Sequence, residues 1–216
     1  MRFDAVLFDC DGVLVDSESL TCGVLRDMLQ DLGWTLTLQE CMDIFIGKMV
    51  ADERVRIEAE TGKPFTEEWL AAFRQRRNET LDAHIVAIPN VHAAVQHLHA
   101  ATQGRIACAS GADRPKIELM LSRVGLLPHF EGRIFSGHEM PRSKPFPDVY
   151  LAAAAHLGVA PARCAVVEDT SVGVRAGVAA GATVFGYAPL GDGQALRDVG
   201  AHAVFSDMAH LAAVLA

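Results

Sequence analysis

A chain of 216 residues, 50% hydrophobic and 21% charged, is long enough to bury a core without disulfides. Its formal net charge of −8 and the lack of any dense Lys/Arg run speak against a nucleic-acid partner, and no stretch of about 20 apolar residues exists to span a membrane. Five cysteines without a CxxC pair argue against a zinc or disulfide framework. The N-terminal apolar run is broken by Asp9 and Asp11, which no signal peptide tolerates, so a cytoplasmic setting is expected.

Residues 4–9 read as a buried strand that ends in two acids. Ser17 to Leu32 reads as a helix, with Leu20, Val24, Leu25, Met28, Leu29 and Leu32 on one stripe and Gly33 closing it. Thr37 and Glu40 form a capping-box pattern for a short helix that stops near Gly47. Residues 50–60 make a polar helix ended by Gly62, and Thr66 opens another over about 67–83. Residues 17–85 therefore hold helices and no clear strand.

After Pro89 the pattern alternates. A helix (90–101) precedes the strand "RIACAS" (105–110), and a helix with Asp113 and Pro115 at its start ends at Gly125. "RIFSG" (133–137) is a strand, Pro147 starts a helix, and "CAVVED" (164–169) is a strand. The helix "VGVRAGVAAGA" leads to the strand "TVFGYA" (183–188), and "HAVFS" is a short strand before a final helix. Alternation of this kind predicts an α/β fold, a doubly wound, Rossmann-like parallel sheet covered on both faces. The predicted division is a core of residues 1–16 and 86–216 with an inserted helical cap of residues 17–85.

Open parallel sheets bind ligands beyond the carboxyl ends of their strands. Asp9 and Asp11, Ser110, Lys144, Glu168 and Asp169 all fall at or just after such ends. Several carboxylates at one edge call for a hard cation, with Mg²⁺ the default. Mg²⁺ and Lys144 can hold a phosphate, and Ser110 with the backbone N–H groups of its turn can take the remaining oxygens. That combination is a phosphoryl-transfer site. No GxGxxG or GxxxxGK[ST] loop is present.

With "DCDGVLVDS" at 9–17, Ser110 after an apolar strand, Lys144 in "SKPFPD" and Glu168-Asp169 in "VVEDTSVG", the chain resembles the haloacid dehalogenase superfamily in its phosphatase and phosphomutase branch. The resemblance implies that Asp9 attacks phosphorus and becomes an aspartyl phosphate. Asp11 then protonates the leaving oxygen and afterwards activates water. Asp9, Asp11 through its backbone carbonyl, and Asp169 would bind Mg²⁺, with Glu168 a ligand or a partner behind one. Ser110, Gly111 and Lys144 would hold the phosphoryl group. An acid role needs Asp11 protonated near pH 7, a rise of roughly 3 units from about 3.9, worth ~4 kcal/mol of help from phosphate and desolvation.

In the cap, Gly47, Lys48 and Arg77, with Arg74 less so, are the positions expected to meet substrate, the arginines reading a second anionic group. The reading is a Mg²⁺-dependent phosphatase, expected as a monomer, acting on a sugar phosphate or sugar-acid phosphate. "FSG" and "VEDTSVG" are similar to phosphogluconate phosphatases. The alternative is a sugar phosphomutase of the beta-phosphoglucomutase type. That pattern has a histidine four residues after the position of Ser17, where this chain has Thr21, which favours water as acceptor.

Overall fold

The computed structural model describes residues 2–216. Six strands, β1 (Ala5–Phe8), β2 (Ile106–Ser110), β3 (Ile134–Ser136), β4 (Cys164–Glu168), β5 (Thr183–Tyr187) and β6 (Ala203–Phe205), form one sheet in the order β3-β2-β1-β4-β5-β6. Every neighbouring pair is parallel. β1, β2 and β4 are buried along their whole length, as a sheet covered on both faces requires. The alternation of side chains divides them cleanly. Val6, Phe8, Ile106, Cys108, Ala165 and Val167 join one apolar core, while Ala5, Leu7, Ala107, Ala109, Cys164 and Val166 join another.

Between β1 and β2 lie α1 (Glu18–Asp31), α2 (Leu38–Phe45), a 3₁₀ turn (Val50–Glu53), α3 (Arg54–Thr61), α4 (Glu67–His84) and α5 (Val91–Ala101). The helices α1 to α4 build a separate core from Leu25, Leu29, Trp34, Cys41, Phe45, Ile57, Leu70 and Phe73. α5 instead packs Val91, Val95 and Leu98 against the sheet. The helical segment is thus inserted after β1, as the sequence pattern predicts. The Thr37–Glu40 capping box forms, and Thr66 accepts from Trp69 N–H.

The two chain crossings into and out of this insert run side by side. Val15 bridges antiparallel to Ala87, Asp16 N–H donates to the Val86 carbonyl at 3.0 Å, and Ile88 N–H donates to the Leu14 carbonyl at 3.1 Å.

The remaining helices are α6 (Arg114–Arg123), α7 (Leu127–Phe130), α8 (Asp148–His156), α9 (Ser171–Ala179), α10 (Gln194–Asp198) and α11 (Leu211–Val214). Of these, α7 and α10 go unpredicted by periodicity, being one turn each. At Gly177 α9 packs close against the sheet: a Cβ there would lie 2.7 Å from Val184. No helix among the described residues is long and apolar enough to cross a membrane.

Candidate active site

β1 delivers Asp9 to the carboxyl edge of the sheet, and the chain then turns sharply, with Leu14 and Val15 N–H groups donating to the Cys10 carbonyl. Gly12 sits in this turn with φ +75°, in the left-handed region that glycine adopts without strain. A Cβ at Gly12 would lie 1.9 Å from Asp169 Oδ2, so the turn and the end of β4 touch through this missing side chain.

Lys144 arrives from the loop after β3, its side chain only 7% exposed, and donates at 2.6 Å to both Asp9 Oδ1 and Glu168 Oε1. Burial alone would lower the pKa of this ammonium, but Asp9 and Glu168 raise it well above the ordinary lysine value. Glu168 is saturated with donors. Its Oε1 also accepts from Tyr150 Oη at 2.8 Å, and its Oε2 accepts from Asp169 N, Thr170 N and Thr170 Oγ1 at 3.0 to 3.1 Å. Five donors exceed the roughly four lone-pair sites of a carboxylate. A Cβ on Gly173 would fall 1.6 Å from Glu168 Oε1, so this glycine makes room for the carboxylate rather than for helix–sheet packing.

Asp9, Glu168 and Asp169 each offer an oxygen, all within 4.8 Å of one another. Burial, followed by opposition from Lys144 and repulsion from Glu168 and Asp11, pushes the Asp9 carboxyl up to about 7. Asp169 is raised well above the usual range by burial and then by the Glu168, Glu18 and Asp9 charges. Its Oδ1 is buried without any hydrogen-bond partner. An orphaned carboxylate oxygen beside two further acids, with no nitrogen or sulfur donor in the set, fits a hard divalent cation such as Mg²⁺.

Asp11 behaves oppositely to Asp9. Burial would raise its carboxyl, but the Lys116 ammonium at 2.5 Å and the Ser17 hydroxyl outweigh it, and the pKa is lowered. The rise expected from the sequence is therefore not supplied by the protein groups, because a lysine stands where only phosphate and desolvation were anticipated. Ser17 precedes α1 as its N-cap residue but does not cap the helix; its hydroxyl is turned onto Asp11. Ser110 Oγ lies 3.5 Å from Asp11 Oδ2 and accepts from Ala112 N at 3.0 Å, while Asp113, not Ser110, caps α6.

The sheet edge and the insert enclose one cavity of about 340 Å³, within the range of small-molecule sites. Asp9, Asp11, Ser110, Gly111, Lys144 and Glu168 line it from the core, and Gly47, Lys48, Arg74 and Arg77 line it from the insert. Leu70, Phe73, Arg74 and Arg77 fall at helical spacing, so one face of α4 meets the cavity. The cations from the insert are not equivalent. Lys48 Nζ pairs with Glu53 at 3.2 Å, and buried Arg77 donates to Asp113 at 2.9 Å and to Asn78. Arg74, half-buried one turn earlier in α4, has no acid within ion-pair distance among the described residues. Arg77 thus lines the cavity with its guanidinium tied to Asp113, while Arg74 lines it without such a tie.

Sequence reasoning missed Lys116, Tyr150 and Glu18, the last with its carboxyl pushed up to about 7 by burial and the nearby Asp11 charge. One signal for Lys116 was available. Arg114 and Lys116 put two cations in the first turn of α6, where the helix dipole disfavours them. Arg114 is answered by Glu139 and Lys116 by Asp11.

A parallel α/β sheet with paired acids after β1, a buried lysine bridging to a second acid pair after β4, and a helical insert over them defines an enzyme built around a carboxylate pair. The sequence model of the haloacid dehalogenase-like hydrolases matches residues 3–181, and the chain belongs to that family. It is 29% identical over 185 residues to 6-phosphogluconate phosphatase of Escherichia coli, covering 85% of this chain and 82% of that protein. Among solved structures, a conserved haloacid dehalogenase-like protein of unknown function from Agrobacterium tumefaciens superposes with a TM-score of 0.84 at 32% identity, over 99% of this chain and 97% of the other. A family hydrolase from Deinococcus radiodurans, solved with phosphate and sodium bound, superposes with a TM-score of 0.79 at 34% identity over 99% and 95% of the two chains.

Proposed function

We propose that the protein is a Mg²⁺-dependent phosphatase that removes phosphate from a small phosphorylated sugar or sugar acid through an aspartyl phosphate on Asp9. The observation that carries this reading is the separate ammonium given to each acid of the pair after β1, Lys144 on Asp9 and Lys116 on Asp11, all four lining one cavity. Two carboxylates held by different partners in different environments suit two different tasks. The bound phosphate of the Deinococcus relative and the activity of the Escherichia coli relative support the same reaction class.

Asp9 is the nucleophile: one of its oxygens accepts from Lys144, and the other accepts no hydrogen bond among the described residues. Asp11, whose carboxyl the Lys116 ammonium lowers, takes up a proton from solvent as the negatively charged phosphate binds beside it, and gives that proton to the leaving oxygen as the Asp9–phosphorus bond forms and the ester bond breaks. Asp11 then takes a proton from water as that water displaces Asp9 from phosphorus. Lys144 and Ser110 hold the phosphoryl oxygens. Mg²⁺, when held by Asp9, Asp169 and the backbone carbonyl of Asp11, supplies positive charge to those oxygens. Glu168, already fully hydrogen-bonded, orients Lys144 rather than binding the ion itself. At the far side of the cavity the unpaired Arg74 favours a substrate with a second anionic group, hence a sugar acid over a neutral sugar.

The test is phosphate release from a panel of sugar phosphates, sugar-acid phosphates, phosphoglycolate and nucleotides, with Mg²⁺ and with chelator. Mg²⁺-dependent hydrolysis that is best, by kcat/KM, on a sugar-acid phosphate is the expected result. No hydrolysis across the panel overturns the reading. Isomerisation of a sugar phosphate that requires a bisphosphate activator replaces it with the mutase.

A further inference from the structure

Lys116 holds Asp11 but touches no reacting atom in the proposed steps, and its position is costly. It is the third residue of α6, 7% exposed, where burial and the helix dipole both oppose a cation. Its backbone is pinned by Asp113, whose side chain accepts from Lys116 N at 3.1 Å and is itself held by Arg77 of α4. Its Nζ reaches Asp11 Oδ1 at 2.5 Å, and the Ser17 hydroxyl donates to the same oxygen. The other oxygen, Oδ2, has only Ser110 Oγ near it, at 3.5 Å, on the side where the phosphoryl group would be held.

We infer that Lys116 is a positioning residue for Asp11: by occupying Oδ1 it presents Oδ2 to the leaving oxygen and then to the attacking water. The inference rests on the phosphatase reading above and adds to it a residue that touches no reacting atom. In the first step the proton passes from Oδ2 to the leaving oxygen as that oxygen separates from phosphorus. In the second, Oδ2 recovers a proton from water as the Asp9–phosphorus bond breaks. A carboxylate free to rotate presents the wrong oxygen part of the time, and misplacement by about 1 Å is enough to cost on the order of 10²-fold.

The test compares two esters, because only one needs an acid. An alkyl phosphate, the best sugar ester of the panel, must have its leaving oxygen protonated; p-nitrophenyl phosphate leaves as a stable phenolate. The parameter kcat/KM reports the chemistry up to formation of the aspartyl phosphate, which isolates the acid step from the later hydrolysis. Lys116→Met is expected to lower kcat/KM for the alkyl ester about 10- to 100-fold and for the aryl ester less than about 3-fold. Lys116→Arg should restore part of the alkyl activity. A melting curve confirms that each variant is folded, and Lys116→Gln is read in the same way if the Met variant is not. Equal losses on both esters, or no loss on the alkyl ester, overturn the inference. If the wild-type protein hydrolyses neither ester, the phosphatase reading itself fails and takes this inference with it.

Discussion

Arg77 Nη2, on the inserted helix α4, donates to Asp113 Oδ2, on the core, at 2.9 Å, and the two side chains are 8% and 20% exposed. This is an ion pair across the seam between insert and sheet layer, and it joins groups 36 residues apart. Burial would raise the Asp113 carboxyl, but Arg77 outweighs it and lowers the pKa. A carboxyl depressed on folding stabilises fully above its unfolded value of about 3.9, and that contribution is lost as pH falls through the lower folded value. Asp113→Asn is therefore expected to be less stable than wild type by about 1–3 kcal/mol at pH 7, the difference narrowing below about pH 4. Chemical denaturation at a series of pH values measures both; a gap that stays constant with pH would contradict the role of the charge.

Gly12→Ala should be severely damaging. The left-handed backbone costs a side chain about 1–2 kcal/mol, and the new methyl would meet Asp169 Oδ2 at 1.9 Å. Displacement of Asp169 predicts that the Mg²⁺ concentration for half-maximal activity rises more than tenfold. A variant with wild-type Mg²⁺ response would show that Asp169 lies outside the metal site.

Glu168 and Asp169 are adjacent acids with different surroundings, one saturated by donors and one with a bare oxygen. Asp169→Asn is expected to weaken Mg²⁺ affinity strongly with a modest effect on stability. Glu168→Ala strips Lys144 and Tyr150 of a fully buried partner and should cost about 3–5 kcal/mol of stability. Calorimetric Mg²⁺ titration beside thermal melts separates the two, and a similar loss of affinity in both would make Glu168 a direct ligand.

Arg74→Ala is expected to reduce kcat/KM for a sugar-acid phosphate roughly 10-fold or more, the worth of one charge-assisted hydrogen bond. The neutral sugar phosphate of the same length should change little. The opposite ranking would show that the anion reader lies elsewhere in the insert.

The strand ends carried most of what could be read in advance. Asp9, Asp11, Lys144, Glu168 and Asp169 sit where a parallel sheet converges its chemistry, so strand order alone brings them together. What escaped depends on distances between elements. Arg74 and Arg77 share a helix face, and only the approach of α6 decides that Arg77 is tied and Arg74 free. Lys116 looks like an ordinary helical lysine until the fold places Asp11 beside it. Tyr150 reads as an apolar residue of α8, and its hydroxyl acquires meaning only against Glu168. The one-turn helices α7 and α10 are too short for any periodicity to register.

The pairing of Val15 with Ala87, and of Leu14 and Asp16 with Ile88 and Val86, joins both entrances to the helical insert into a single two-stranded ribbon. Two independent tethers would let the insert slide and twist. A hydrogen-bonded ribbon resists the sliding of one strand past the other, and the Arg77–Asp113 pair holds the insert to the core at a second point. Ser17 lies immediately beyond the ribbon with its hydroxyl on Asp11, so the ribbon and the acid are joined through one side chain. The entrance to the insert and the acid of the site thus share one anchor.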